Sequence, residues 1–249
     1  ILHDFPLKPD PEALAAGRYK VRFFEDQPSR FGVVPRYGQA NEIRWFTAKP
    51  TYMLHVVNAW EDGDEVVMLG TPYRVHHDDQ GRPDARRLER TIHLRQRDFL
   101  LYEWRFKLKT GQTHERVIDD VLNTEFPVIN SLYQGRKNQF SYHVLFPQGG
   151  REEPRFPGLV KYDLETGGYI AFSAGPQYFY NEPGFAPRDN PQSEDDGYLV
   201  SFVWNPKDQR SEIQIFDCKD ARLAQGPVAR VLLPRRVPHG FHATFVSQQ

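Results

Sequence analysis

Short runs of β-branched and aromatic residues recur along this chain, and the segments between them are rich in glycine, proline and charge. Such runs predict strands, and the glycine- and proline-containing segments predict turns. The 20 prolines also argue against long helices, because proline disrupts a helix interior. Only residues 10–16 have a helical pattern, with Pro11 in the first turn. The sequence therefore predicts an all-β fold, with strands at residues 52–57, 65–69, 99–108, 140–146, 159–164, 169–173, 198–204, 212–216, 228–233 and 241–246.

A weak internal repeat supports this prediction. Residues 106–111 and 162–167 share the pattern aromatic-x-Leu-x-Thr-Gly, which is typical of a strand that ends in a glycine turn. Their separation is somewhat longer than the roughly 40–50 residues of a propeller blade. No linker divides the chain, and its length suits one sizeable core, so we expect a single domain over residues 1–249. The predicted polar loops are residues 78–87, 148–157 and 181–196.

Composition excludes several classes of function. The net charge is −1 and the arginines are dispersed, so the chain lacks the basic patch of a nucleic-acid-binding protein. The single Cys218 cannot form an intrachain disulfide, which fits a reducing compartment and a cytoplasmic location. No nucleophile elbow, Walker loop or dinucleotide-binding glycine motif is present. Adjacent carboxylates, as at residues 119–120 and 195–196, would point to opposite faces of a strand, which does not suit a glycosidase.

Three histidines lie in short phrases that resemble metal-ligand contexts. Their wide separation excludes a local zinc finger, whose ligands are a few residues apart. If the three share one ion, the fold must bring distant segments together, as a closed all-β structure does around its axis. The three are His3 in residues 1–5, His55 in residues 53–60 and His242 in residues 240–245.

Two glutamates extend this pattern: Glu125 in Thr-Glu-Phe-Pro and Glu182 in Asn-Glu-Pro. Taken in order with the phrases His-x-x-Asn-Ala-Trp and Gly-Phe-His-Ala, they resemble the carotenoid cleavage oxygenase family along nearly the whole chain. The resemblance implies a seven-bladed β-propeller, with this chain as its C-terminal half and one ferrous ion on the axis. It implies that His3, His55 and His242 bind Fe2+. Members of the family are about twice as long, and the fourth histidine is expected in the part that this chain lacks.

The resemblance also implies roles for the glutamates. Glu125 is expected to orient His55, and Glu182 to orient His242, because a ligating histidine usually donates its other ring N–H to a carboxylate. Four neutral imidazoles suit Fe(II) but leave its charge uncompensated, which is a further reason to expect carboxylates nearby. His3 lacks its own glutamate in this chain. The segment after Phe5 is also shorter than the family's, and this shortening bears on the position of His3.

The function implied is a non-haem Fe(II)-dependent dioxygenase that cleaves a conjugated carbon–carbon double bond of a carotenoid or apocarotenoid with O2. Stilbene cleavage and retinoid isomerisation are the alternatives within the family. A non-catalytic propeller fragment that serves as a binding or structural unit is the alternative outside enzymes. The partners implied are a small apolar substrate and O2, with peripheral membrane contact for substrate uptake. No protein partner is implied.

Other histidines have plainer interpretations. His239 is three residues before His242, and on a regular strand it would face the opposite side. Residues 76–79, His-His-Asp-Asp, are expected to form a solvated turn rather than a metal cluster. His93 is expected on the polar face of a strand, and neither His114 nor His143 lies in a phrase that supports ligation.

Overall fold

The computed structural model describes residues 1–77, 80–81, 98–147 and 155–246. Nearly all of the regular structure there is antiparallel β-sheet. The α-helix in these residues is α1 (Pro11–Ala15), where residues 10–16 were predicted, and the Asp10 carboxylate accepts hydrogen bonds from the first-turn backbone. Short 3-10 helices occur at Ala40–Glu42, Ser131–Tyr133 and Arg222–Gln225. The all-β prediction is confirmed. The predicted loops at 78–87 and 148–157 and the predicted strand position of His93 lie wholly or largely outside the described residues.

The N-terminal part forms two small sheets that the sequence pattern did not predict. A three-stranded sheet has the order β1-β4-β5, and a two-stranded hairpin joins β2 to β3 with α1 between them. These strands are too short to show a clear alternation of residue types. Their bounds are β1 (Leu2–Asp4), β2 (Leu7–Pro9), β3 (Val21–Phe23), β4 (Ser29–Val33) and β5 (Arg44–Ala48).

Two four-stranded sheets follow, and in each the strands pair in sequence order. Consecutive antiparallel sheets of this kind are typical of propeller blades. The first consists of β6 (Met53–Asp62), β7 (Glu65–Pro72), β8 (Leu101–Lys107) and β9 (Thr113–Asp119). The second consists of β10 (Thr124–Val128), β11 (Phe140–Leu145), β12 (Gly158–Asp163) and β13 (Tyr169–Ser173).

The internal sequence repeat marks the same turn in both sheets. The N–H of Gly111 donates to the carbonyl of Lys107 over 2.9 Å, and the N–H of Gly167 donates to the carbonyl of Asp163 over 2.9 Å. Both glycines have positive φ, 76° and 75°, a conformation that favours glycine. The repeat is therefore the hairpin between the third and fourth strands of two successive sheets.

The last sheet is built around β16. Both β14 (Phe179–Tyr180) and β15 (Gly184–Pro187) pair with β16 (Gly197–Asn205), which pairs in turn with β17. The strand β17 (Arg210–Asp217) lies between β16 and the edge strand β18 (Ala229–Leu232). The prediction of a loop over residues 181–196 is thus wrong for β15, where Phe185 and Ala186 are buried. The polar residues on either side of β15 make this short buried strand look like part of a loop in the sequence.

The predicted strand at residues 241–246 is also wrong. These residues are described but form no strand. The amides of Gly240 and Ala243 donate to the side chains of Asn181 and Glu182 instead of to a neighbouring backbone. A sequence pattern that is typical of a strand gives a strand only where the backbone of a neighbouring strand can accept its hydrogen bonds. Here side chains accept them instead.

The core between the sheets is strongly aromatic. One cluster contains Phe126, Tyr142, Phe146, Phe156 and Tyr180, all with under a tenth of their surface exposed. Aromatic side chains bury large areas and hold neighbouring sheets at a fixed separation. No helix in the described residues is long and apolar enough to cross a membrane.

Candidate metal centre

The predicted site residues lie on the first strands of successive sheets or directly beside them. His55 is on β6 and Glu125 is on β10, and these two strands pack against each other. Glu182 follows β14, the first strand of the last sheet, and His242 lies in the segment after β18. His55 and Glu125, 70 residues apart in the sequence, therefore meet because the first strands of their two sheets are adjacent.

Each of these first strands contains an irregularity at the site residue. On β6, residues 54–55 face the single residue Thr71, and on β10, residues 126–127 face the single residue His143. Residues 181–183 likewise contain one more residue than the facing part of β16. A bulge turns a side chain away from the regular alternation of a strand. His55 and Glu182 therefore lie within irregularities of their ladders, and Glu125 lies directly before one.

The buried carboxylate of Glu125 holds His55. Nδ1 of His55 lies 2.6 Å from Oε2 of Glu125, and since a carboxylate only accepts, Nδ1–H donates. The Thr71 hydroxyl donates to the other oxygen over 2.7 Å, and the backbone N–H of Phe126 also donates to Oε2. Phe126 has φ of 54°, an unusual value for a phenylalanine, and it is one of the two bulged residues of β10.

The electrostatics of His55 follow from this arrangement. Burial acts to lower the pKa of His55, but the hydrogen bond to Glu125 and the charges of Glu125 and Glu182 outweigh it and raise the pKa above its ordinary value. A site that stabilises the positive imidazolium also stabilises positive charge placed beside the ring. The pair therefore has the electrostatic character of a cation site.

Glu182 holds His242 in the same way. Nδ1 of His242 lies 2.9 Å from Oε2 of Glu182, and the same oxygen accepts a hydrogen bond of 2.9 Å from the backbone N–H of Ala243. The two histidines then face each other, with ring centroids 5.1 Å apart and a T-shaped orientation. The ring of Phe126 lies against both, with centroids 5.3 Å from His55 and 6.1 Å from His242.

This geometry suits a shared ion. In both histidines Nδ1 faces a carboxylate, which leaves Nε2 as the nitrogen that can bind a metal. Rings at this separation can both reach one ion at about 2 Å from each nitrogen. Imidazole ligands with carboxylates behind them fit a divalent ion such as iron. The residues present therefore fit the group that the sequence predicts, although ligation itself stays a prediction.

His3 is not joined to this pair. It lies on β1, and its ring packs against Phe5 at 5.5 Å and Phe31 at 5.6 Å between centroids. In the described part of the chain, no three His, Cys, Asp or Glu side chains are close enough to hold a metal. The structure thus brings together two of the three predicted ligands, and ligation by His3 stays a prediction.

The remaining histidines and the cysteine lie elsewhere. His239 stacks on Phe179 with centroids 3.7 Å apart. His76 faces Asp98 at 2.9 Å, while Asp78 and Asp79 lie outside the described residues. His143 is fully buried, and burial lowers its pKa to about 3. Cys218 is buried too, and burial raises the pKa of its thiol, so it is no nucleophile.

A cavity of about 880 Å³ begins beside the site residues. Its walls are the residues that follow each of them along the chain. These are residues 56–59 after His55, 127–129 after Glu125, Gly184 and Phe185 after Glu182, and 243–245 after His242, with Arg36, Ser131, Gln134 and Gly135 completing the lining.

Two site contacts had no signal in the sequence. Thr71 lies on β7 and Asn181 precedes Glu182, and neither was a candidate. Threonine and asparagine are common in many sequence contexts, so the residue type alone does not indicate a role. The role depends on which distant group lies within hydrogen-bond distance in the fold.

Comparisons with known proteins identify the family of the chain. Residues 1–247 match the family model described as retinal pigment epithelial membrane protein. The chain is 34% identical to the carotenoid 9,10(9',10')-cleavage dioxygenase of Crocus sativus over 266 residues, covering 100% of this chain and 46% of that protein. It is 31% identical to the carotenoid 9,10(9',10')-cleavage dioxygenase 1 of Arabidopsis thaliana, covering 100% and 47%. The chain thus spans about half the length of these curated relatives.

Solved structures show the same fold. The cobalt-substituted apocarotenoid oxygenase of Synechocystis superimposes with a TM-score of 0.78 at 22% identity, over 96% of this chain and 49% of that one. The lignostilbene dioxygenase of Pseudomonas brassicacearum superimposes with a TM-score of 0.77 at 26% identity, over 99% and 52%. Both likenesses cover nearly all of this chain.

Proposed function

Since the chain belongs to the retinal pigment epithelial membrane protein family, we propose that it forms the C-terminal part of a non-haem Fe(II) dioxygenase. The proposed reaction is cleavage of a conjugated carbon–carbon double bond of a carotenoid or apocarotenoid with O2, giving two carbonyl products. The curated relatives named above are carotenoid cleavage dioxygenases, and this supports the substrate class. The seven-bladed propeller with the metal on its axis is part of the same proposal.

The observation that carries the proposal is the pair of facing histidines, each with its Nδ1 on a carboxylate. In this proposal His55, His242 and His3 bind the iron, and a fourth histidine comes from outside residues 1–249. When bound, the iron would supply the activation of O2. The chain itself orients the imidazoles through Glu125 and Glu182.

The environment of the pair suits an apolar substrate. The aromatic rings of Phe126 and Phe241 lie near the histidines, with centroids 6.1 Å apart. Aromatic walls exclude water and accept a flat conjugated chain. Uptake of such a substrate by peripheral contact with a membrane, from a cytoplasmic location, belongs to the proposal as well.

Stilbene cleavage is the second candidate. The likeness to the lignostilbene dioxygenase, at 26% identity over 99% of this chain, supports it. A phenolic stilbene needs polar groups that orient its ring, whereas a carotenoid needs a long apolar path. Substrate preference therefore separates the two candidates directly.

The test pairs elemental analysis with oxygen uptake. Protein purified anaerobically should hold near-stoichiometric iron, and both His55→Ala and His242→Ala should lose it. The matched control is His114→Ala, because His114 is an exposed histidine on β9 away from the pair. O2 uptake is then compared for β-apo-carotenals, full-length carotenoids and resveratrol-like stilbenes. Zinc or no metal in an active sample would refute the iron proposal. Absence of both iron and cleavage would favour a non-catalytic binding unit.

A further inference from the structure

His242 lies on a segment that has no strand to hold it. We call residues 234–246 the C-terminal segment, and none of them belongs to a strand or helix. Three of its backbone amides donate instead to side chains of the last sheet. Val237 donates to the Ser211 hydroxyl over 2.9 Å, Gly240 to Oδ1 of Asn181 over 3.2 Å, and Ala243 to Oε2 of Glu182 over 2.9 Å.

Two of these three bonds flank His242. Gly240 is two residues before it and Ala243 is directly after it, and their acceptors are the neighbouring residues Asn181 and Glu182. A chain fixed at both points keeps the histidine between them in place. Glu182 also supplies charge to the imidazole, whereas Asn181 is neutral and can contribute position alone.

Asn181 is itself held firmly. Its side chain is buried, its N–H donates to the carbonyl of Phe202 over 2.9 Å, and its carbonyl accepts from the Ser201 hydroxyl over 2.8 Å. These bonds fix the bulge at residues 181–183 to β16. An acceptor with a fixed backbone loses little entropy when it binds the segment.

The segment also lies close against the sheet. A Cβ added to Gly184 would come within 2.9 Å of the backbone nitrogen of Phe245. His239 stacks on Phe179 with its ring nearly parallel, at an angle of 6°. The hydrogen bond of Asn181 therefore joins a buried side chain of the sheet to an exposed segment that lies directly against it.

We propose that Asn181 is a positioning residue for the metal centre: by binding the amide of Gly240 it docks the C-terminal segment and so places His242 opposite His55. The docking does not require a metal. Only its consequence, tighter retention of the ion, rests on the proposed function. Docking of the segment and retention of iron can therefore be tested separately, and either can be refuted without the other.

The first arm of the test is hydrogen–deuterium exchange on the full protein. In Asn181→Ala the peptide covering residues 234–246 should exchange roughly ten times faster, because a hydrogen bond of ordinary strength is lost. Peptides from β6 and from β14 to β17 should exchange as in the wild type. Asn181→Asp keeps an acceptor oxygen and should restore slow exchange. The control is Asn205→Ala, since Asn205 is a buried asparagine of the same sheet whose side chain hydrogen-bonds within its own hairpin, to Lys207 and Asp208.

The second arm measures iron release to a chelator. Asn181→Ala should release iron roughly five to ten times faster than wild type, and Asn205→Ala should not. Unchanged exchange of the C-terminal segment in Asn181→Ala would overturn the docking role. Faster exchange throughout the last sheet would show a general structural role and overturn it too. Faster exchange of the segment with unchanged iron release would overturn the positioning of His242. Wild-type protein without iron would refute the proposed function while the exchange arm still decides the docking.

Discussion

Two histidine–glutamate pairs of the same form are built in different ways in this protein. The Nδ1 to carboxylate distances are 2.6 Å for His55 and 2.9 Å for His242. The first pair joins strands of two sheets, and the Glu125 side chain is 1% exposed. The second pair joins a bulge to an irregular segment, and the His242 side chain is 65% exposed. The two histidine–glutamate contacts therefore have similar geometry, but the structure that surrounds and holds each pair is different.

The two pairs differ in the hydrogen-bond donors that each carboxylate accepts from, and in how deeply those donors are buried. Glu125 accepts from the half-buried ring of His55 and from two buried donors, the Thr71 hydroxyl and the backbone N–H of Phe126. Glu182 is also buried, but it accepts from His242, whose side chain is largely exposed, and from the half-buried Ala243, so water can reach these donors. Buried donors that lose their acceptor cost far more than donors that water can reach. Glu125 should therefore contribute to the stability of the fold, whereas Glu182 should contribute mainly to the position of His242.

The largest expected effect is on stability. Glu125→Ala should lower the free energy of unfolding by about 3 kcal/mol, because the buried N–H of Phe126 and the half-buried ring of His55 lose their acceptor. Thr71 can turn its hydroxyl to the carbonyl of His55 instead. Glu182→Ala should lower it by about 1 kcal/mol or less. Urea unfolding of metal-free protein, followed by circular dichroism, measures both. Equal losses for the two variants would show that the pairs do not differ in support.

A second test separates charge from position. Glu125→Gln and Glu182→Gln can keep the bond from the histidine, and Thr71 can accept from the new amide by turning its hydroxyl to the carbonyl of His55, 3.3 Å away. Both variants should fold, but iron should be held more weakly by roughly 10–100-fold. The effect should be larger for Glu125, since charge interactions are stronger in the interior. Competition with a calibrated chelator measures the affinities, and wild-type affinity in both variants would refute the orienting role of the glutamates.

The contrast between the pairs also marks what could be predicted from the sequence. The strand that carries His55 was predicted over residues 52–57. The strand that carries Glu125, β10, was not predicted, and the strand predicted around His242 at residues 241–246 does not form. The partners of His55 and His242 followed from a family resemblance in short phrases. Thr71 and Asn181 could not be found this way, because their roles depend on which distant backbone lies beside them.

The bulges were beyond prediction for a related reason. An extra residue in a strand is defined by the pairing with its neighbour, and the sequence of one strand does not contain that register. The φ of 54° at Phe126 is a case in point, since phenylalanine normally avoids this conformation. Phe126 is one of the two bulged residues of β10, so the irregular pairing and the unusual backbone angle occur together.

A third histidine shows what the carboxylates contribute. His143 faces the bulge of β10, where it opposes Phe126 and Pro127. Its ring nitrogens lie near hydroxyls, 2.9 Å from Ser141 and 3.5 Å from Thr124. With no carboxylate beside it, burial alone lowers its pKa to about 3, whereas the pKa of His55 is raised. A buried histidine thus becomes neutral or cationic according to its partner.

This contrast predicts a dependence of stability on pH. His143 stays neutral in the folded protein down to about pH 3, whereas in the unfolded chain it takes up a proton near pH 6.5. The unfolded state therefore binds more protons below pH 6.5, and stability falls as the pH falls through that range. Between pH 7 and pH 5 the loss from this group should be about 2 kcal/mol. In His143→Gln, which keeps hydrogen-bonding capacity without titrating, that loss should disappear, while His55 and the carboxylates contribute equally to both proteins and cancel in the difference. Urea unfolding of wild type and variant at both pH values measures it. An identical pH dependence in the two proteins would show that His143 is protonated in the folded state, and that a carboxylate is not what distinguishes His55 from it.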